Sequence, residues 1–262
     1  MNDKPQEPEE YLKWLKELRE VDITSSTKDH YDYIASTLKQ QFEASHFWRQ
    51  LGSNLTQYND EYYVSHSGYQ LLADKTLPDL DIKDFDSFLL KTQRINILEN
   101  DNWDNPPEGG WLLPDNWYTS IKDIVRTCIV VKYLDGIEFM RDKIKRLCDE
   151  DNERYFKCEF KARDEGYYAA HIYMQETCEV PRYLALGTEE LQIFIEIQLT
   201  TQLKEAIYDL LHKHYEKRRA LLIPIPKEVW QWDYQSTEFA MNYLGHILHY
   251  LDGMMVNIKE KE

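Results

Sequence analysis

The sequence predicts an α/β fold, a mixed β-sheet of four to five strands flanked by helices, with additional helices at both ends of the chain. Three observations predict it. The run Leu191-Gln192-Ile193-Phe194-Ile195-Glu196-Ile197-Gln198 alternates with period two, so Ile193, Ile195 and Ile197 face one side of a strand and Phe194, Glu196 and Gln198 the other. Apolar residues recur at helical spacing in several other stretches. The inferred order, helix–strand–helix–strand–strand–strand–helix, departs from the strict βαβα alternation of a doubly wound sheet.

Residues 1–8 read as a disordered lead. Glu9 to Val21 reads as a helix with Tyr11, Trp14, Leu15 and Leu18 on one face. Ser25-Ser26-Thr27 offers caps for a second helix, over about 28–51, with Tyr33, Ile34, Leu38, Phe42 and Phe47 inside. The tyrosine-rich, acidic stretch 52–82 carries no clear period. Asp81 to Leu90 is expected to be helical and Leu89 to Leu98 a short strand. Pro106-Pro107, Gly109-Gly110 and Pro114 mark 100–117 as a long loop, a length usually functional or mobile.

Ile121 to Tyr133 is a strand rich in Ile and Val, and Asp135-Gly136 turns into a helix over about 137–149. Strands near 154–162 and 167–175 follow, joined by Arg163-Asp164-Glu165-Gly166. A connection containing Pro181 leads to the Leu191 strand. Beyond it Leu203, Ile207, Leu210, Leu211 and His214 recur at helical spacing. After Ile223-Pro224-Ile225-Pro226 a last helix is expected over 236–256, with Phe239, Leu244, Ile247, Leu251 and Met255 at its core. The division is a helical region at 1–85, a core at 86–222 and a helical extension at 223–262.

At 262 residues and 42% hydrophobic, the chain has ample core. Its net charge of −16 argues against general nucleic-acid or membrane binding. No apolar run approaches the ~20 residues of a membrane span. The start Met1-Asn2-Asp3-Lys4-Pro5 lacks the pattern of a signal peptide. Cys128, Cys148, Cys158 and Cys178 show no C-x-x-C spacing and read as buried thiols, so the expected compartment is the cytoplasm.

Between Leu51 and Tyr118 lie 12 acidic and 4 basic residues, half of the net charge. Basic residues cluster instead at Arg141/Lys143/Lys145/Arg146, at Arg154/Lys157/Lys161/Arg163 and at Lys213/Lys217/Arg218/Arg219. Such local basic sites suit a polyphosphate ligand, or are ordinary solvated faces. G-x-G-x-x-G, P-loop and H-E-x-x-H patterns are all absent.

Asp123 and Glu196 fall on expected strands of one sheet, where two carboxylates can share a Mg²⁺ or sit at strand ends in solvent. The Gly166-Tyr167-Tyr168 hairpin offers a ring that can stack on a base, with Arg163 and His171 near phosphate, or tyrosines packed on the sheet. Lys91 and Arg94 are isolated cations in the most acidic third, either solubilising or held for a ligand.

In this order the pieces resemble the synthetase domain of RelA/SpoT-type alarmone synthetases. They are Arg94-Ile95-Asn96, Asp123-Ile124, Arg163-x-x-Gly166-Tyr167-x-x-x-His171, Glu196-Ile197-Gln198-x-x-Thr201, then His212 and Tyr215. The resemblance covers about 86–219 and points to the small single-domain members, which include toxins of toxin–antitoxin pairs. It implies a nucleotidyltransferase-like fold and transfer of the β,γ-pyrophosphate of ATP to a ribose 3′-hydroxyl, with Mg²⁺ as cofactor. The acceptor is GDP or GTP, giving (p)ppGpp, or the 3′ end of tRNA; a catalytically inactive binding member is the third possibility.

By the same resemblance Asp123 and Glu196 are the catalytic and metal-holding carboxylates. Tyr167, Gln198, His171, Arg163 and Lys161 face the acceptor, while Arg94, Lys91 and Arg126 face the ATP phosphates. An antitoxin is a possible partner; DNA and membrane are not expected. The chain departs from the family pattern at Asn96, where R-x-K-S has its lysine, at Cys128, where D-I-x-G-x-R has its arginine, at Glu165, and at Thr200 in E-I-Q-x-R-T.

Overall fold

A computed structural model describes residues 4–151, 154–181, 187–207 and 230–261. It is α/β, as expected, with one five-stranded sheet in the order β1-β2-β5-β4-β3. The strands are β1 (Asp81–Ile82), β2 (Val125–Val131), β3 (Phe156–Ala162), β4 (Tyr168–Pro181) and β5 (Thr188–Thr201). By contact the chain divides into two compact units. The first comprises residues 1–45, 80–126 and 174–196; the second comprises 46–79, 127–173 and 197–262.

The first unit holds α1 (Pro8–Arg19), α2 (Ser25–Glu43), α4 (Phe85–Gln93) and the short α5 (Trp117–Ser120). Helix α1 starts at Pro8, where a proline costs no hydrogen bond, and Glu7 and Glu10 form a reciprocal capping box. Of the expected lead, residues 1–3 lie outside the described residues, and residues 4–7 are pinned: Lys4 Nζ donates to Asn100 O at 2.8 Å and Gln93 Nε2 to Gln6 O at 2.7 Å. Tyr11, Trp14 and Leu15 are buried with Ile97, and Trp103 and Trp111 pack against them. Leu18, expected on that face, is exposed.

The expected helix over 28–51 is two helices. Thr24, not Ser25–Thr27, caps α2, which stops at Glu43; α3 (His46–Ser65) begins after Ala44-Ser45 and belongs to the second unit. Tyr33 points to solvent. The Leu89–Leu98 strand is corrected too. Asp84 caps α4 at the Ser87 N–H, and the chain continues through a π-helical turn, Arg94–Leu98. The long loop is present, but asparagine side chains hold it: Asn100 donates to Asn96 O and Asn105 O, and Asn116 to Trp111 O.

The second unit holds α3, α6 (Asp135–Glu150), β3, α7 (Gln202–Glu205) and α8 (Thr237–Lys259). Helix α6 packs on α3 and turns Ile137, Met140, Ile144 and Leu147 inward. Helix α8 is capped by Ser236, and the expectation for its core holds only in part, with Phe239, Leu244 and Met255 half-buried. It buries Asn242, Gly245, Leu248, Asp252 and Lys259, whereas Ile247 and Leu251, expected in the core, are exposed. The helix expected beyond Leu203 and the Ile223–Pro226 segment lie outside the described residues, apart from α7. Among the described residues no helix is long and apolar enough to cross a membrane.

Candidate active site

The two candidate carboxylates, Asp123 and Glu196, lie in the first unit. Asp123 does not sit on a strand as expected; it occupies the turn two residues before β2, next to the β1–β2 ladder, where Lys83 N–H donates to Ile124 O. Its oxygens are taken by two lysines, Lys91 Nζ at 2.6 Å and Lys83 Nζ at 3.2 Å. Lys91 projects from α4 and Lys83 from the residue after β1. Burial alone pushes the Asp123 carboxyl upward, but the Lys91 and Lys83 ammonium groups outweigh burial and bring its pKa down to about 2. Lys83 is shifted downward by its own burial, against the attraction of Asp123.

Two ammonium groups therefore meet the Asp123 carboxylate, and Asp84 also attracts Lys83. Arg126, half-buried on β2, is close enough to disfavour the Lys83 charge further. Lys83 is the residue that sequence reading missed. Its partner lies 40 residues along the chain, and its one local signal is its place beside the capping Asp84. Arg94 is ion-paired through Nε to Glu99 Oε1 at 3.1 Å.

Glu196 sits on β5, the neighbour of β2, and is only 4% exposed. Phe194, on its face, lies under Lys122 Nζ at 5.3 Å. Asp123 and Glu196 have the chemistry to hold Mg²⁺, which takes one or two carboxylates and leaves other positions to water and phosphate. Asp123 meets the further need that a ligand be deprotonated at neutral pH. Among the described residues no group of three or more His, Cys, Asp or Glu gathers as a self-sufficient metal cage.

The other expected residues lie in the second unit. The β3–β4 hairpin turns through Asp164-Glu165-Gly166, with Gly166 N–H donating to Arg163 O at 2.9 Å and Arg163 N–H to Tyr167 O at 3.0 Å. Gly166 takes φ +79°, the left-handed conformation of a three-residue hairpin loop, which glycine adopts without strain. Strand alternation sends Tyr167, His171 and Tyr173 to one face. Tyr167 Oη and His171 Nε2 are 2.7 Å apart, and the Arg163 guanidinium lies 6.0 Å from the Tyr167 ring centroid. Lys161 Nζ donates to Tyr173 Oη at 2.7 Å.

Lys161, Arg163, Tyr167 and His171 thus form one contiguous patch, with His171 setting the pose of the Tyr167 ring. Gln198 is half-buried on β5. The other basic clusters are balanced by acids of their own: Arg141 by Asp142, Lys143 by Glu61, Lys145 by Asp149, Arg154 by Asp151 and Lys157 by Glu159. Lys213, Lys217, Arg218 and Arg219, like His212 and Tyr215, lie outside the described residues.

Asn96, where the family pattern has a lysine, is fully buried. Its side-chain amide donates to Tyr11 Oη and Leu112 O and accepts from Leu112 N–H. Thr201, the threonine of E-I-Q-x-x-T, is also buried, donating to Asp252 Oδ2 at 2.6 Å.

No protein-family model matches the sequence, and no curated protein matches it significantly. Solved structures do. Small alarmone synthetase 2 from Bacillus subtilis superposes with a TM-score of 0.51 at 18% identity, over 82% of this chain and 93% of that one. Small alarmone synthetase 1 from the same bacterium, bound to its product pppGpp, gives a TM-score of 0.51 at 14% identity, over 81% and 91%. The chain has the fold of a RelA/SpoT-type synthetase domain.

Proposed function

We propose that the protein is a pyrophosphokinase that transfers the β,γ-pyrophosphate of ATP to the ribose 3′-hydroxyl of GDP or GTP. The observation that carries this reading is the ionised Asp123 flanked by Lys83 and Lys91, with Glu196 on the adjacent strand. Lys83, Lys91 and Arg126 bring three cations together near Asp123 and Asp84, and a polyphosphate would add negative charge among them.

In the proposed reaction the acceptor 3′-oxygen attacks the β-phosphorus of ATP. A new O–P bond forms, the bond from the β-phosphorus to the α,β-bridging oxygen breaks, and AMP leaves. Glu196 takes the proton of the attacking hydroxyl. Lys83, Lys91 and Arg126 bind the donor phosphates, and Arg94 reaches them after leaving Glu99. Mg²⁺, held by Asp123 and Glu196, would neutralise charge on the transferred group. On the acceptor side Tyr167 stacks the base, His171 and Gln198 fix its sugar, and Arg163 and Lys161 meet its phosphates. To accept a base on its Arg163 side, Tyr167 must give up the guanidinium contact to the incoming ring.

Incubation with γ-labelled ATP and a panel of GDP, GTP and tRNA tests the proposal. Label should pass to GDP or GTP and should vanish in Glu196→Gln and Asp123→Asn. Transfer to tRNA alone would assign the acceptor as a tRNA 3′ end and the protein as a translation-blocking toxin. No transfer to any acceptor, with nucleotide binding unaffected by both substitutions, would make it a non-catalytic binding protein.

A further inference from the structure

Helix α8 presents its polar side inward. Tyr243, Ile247, Tyr250, Leu251, Met254 and Ile258 form an apolar stripe at helical spacing on its exposed side. A helix serving only to fill a core would be turned the other way. The inward side instead meets the Arg163–Tyr168 hairpin at three places.

Gly245 meets Gly166 backbone to backbone: a Cβ on Gly245 would lie 2.4 Å from Gly166 O, and one on Gly166 would lie 2.4 Å from Asn242 O. His246 spans the turn. Its Nε2 is 2.9 Å from Asp164 O, and because a carbonyl only accepts, this nitrogen carries the proton. Its Nδ1 is then the acceptor for Tyr168 Oη at 2.8 Å. The Tyr168 ring also stacks on His249, with centroids 3.8 Å apart and planes 7° apart. His249 is fixed in turn by Lys204 Nζ at 3.1 Å.

We infer that α8 positions the acceptor hairpin, with His246 as its positioning residue; the inference rests on the reading of that hairpin as the acceptor site. Tyr167 lies between Gly166 and Tyr168, both held by α8. Alternation sends Tyr168 toward α8 and Tyr167 to the opposite face, where its hydroxyl meets His171 Nε2. Holding its two neighbours therefore fixes the plane of the ring on which the acceptor base stacks. The donor-binding lysines belong to other elements, so α8 acts on acceptor affinity and leaves ATP binding alone.

The test uses the full-length protein and three variants. His246→Ala should raise the KM for GDP about tenfold, the size expected from two lost hydrogen bonds that orient a stacking surface. It should leave the Kd for a non-hydrolysable ATP analogue, measured by calorimetry, unchanged. His246→Gln, whose amide can donate to Asp164 O and accept from Tyr168 Oη, should recover most of the loss. Gly245→Ala should harm acceptor KM more than His246→Ala, because the new methyl displaces the hairpin itself. Amide hydrogen exchange should show faster exchange at Arg163 and Gly166 in His246→Ala, with the remaining sheet unchanged. An active wild type whose His246→Ala variant keeps its acceptor KM, or loses donor and acceptor binding equally, overturns this inference alone. A wild type that transfers label to no acceptor overturns the functional reading and this inference with it.

Discussion

Replacing Asn96 separates a phosphate-binding position from a structural one. The amide is fully buried and makes three hydrogen bonds, at 2.9 Å to Tyr11 Oη, 3.0 Å to Leu112 O and 2.9 Å from Leu112 N–H. In Asn96→Ala, Tyr11 Oη keeps its bond to Thr92 Oγ1, whereas the Leu112 N–H and C=O lose their partners. An orphaned buried polar group costs about 1–3 kcal/mol, so two predict a loss of roughly 3 kcal/mol. That is a large part of the ~5–15 kcal/mol of a typical domain. Asn96→Asp should be worse than alanine, since it buries a charge and gives up the donor to Leu112 O. Asn96→Lys, which restores the family pattern, should cost at least as much as alanine and should not tighten ATP binding. Urea unfolding followed by tryptophan fluorescence suits the measurement, because Trp14 and Trp111 pack with ring centroids 5.0 Å apart in the same cluster. An Asn96→Lys protein within ~0.5 kcal/mol of wild type, or one that binds ATP more tightly, would refute the structural assignment.

Further predictions concern the lysines at Asp123, the Tyr167 hairpin and α8. Lys83→Met should weaken ATP binding about tenfold, by the loss of one charge-assisted contact, without changing acceptor affinity; calorimetry with a non-hydrolysable analogue reads both. Tyr167→Ala should raise acceptor KM at least tenfold, since base–ring stacking is worth about 1–3 kcal/mol, while the melting temperature stays nearly constant. Tyr167→Phe keeps the ring and loses only the bond to His171, so most acceptor affinity should survive. Lys259 is buried against Tyr62 and Asp135 and lies 4.8 Å from the Tyr133 ring centroid. Lys259→Met should cost about 2 kcal/mol in thermal unfolding, less than for a sealed ion pair because Asp135 keeps some water. Adding Asp135→Asn should return part of that loss.

What the sequence revealed was local. The period-two run in β5, the turn glycine before Tyr167 and the start of α8 near Ser236 each depend on neighbours within a few residues, and each was legible. What escaped reading depends on distant partners. Leu89–Leu98 is as apolar as a strand, and it stays helical in the company of Tyr11 and Leu112, which reach Thr92 and Asn96 from elsewhere in the chain. The apolar positions of α8 gave a sound period but a rotated face, with Ile247 and Leu251 exposed, because polar partners on Thr201, Tyr168 and Asp135 claim the side next to them. Lys83 escaped for the same reason: a lone lysine becomes informative only when Asp123 stands against it.

The departures from the family pattern then have a common physical sense. A lysine at 96 would have to enter a site already filled by hydrogen bonds to Leu112 and Tyr11, so the charge cannot be carried there. Cations are nonetheless present around Asp123, supplied by Lys83 after β1 and by Lys91 on α4, three residues before Arg94. Phosphate recognition depends on the number and reach of cations near the reacting group more than on which element delivers them. The matched threonine shows the reverse case. Thr201 keeps the family identity, yet its hydroxyl is committed to Asp252 and to the Lys204 N–H that starts α7, so its task here is to tie the end of β5 to α8. Motif identity and side-chain role therefore part in both directions: cations gather around Asp123 from positions outside the motif, and a retained motif residue serves α8, the helix that holds the β3–β4 hairpin.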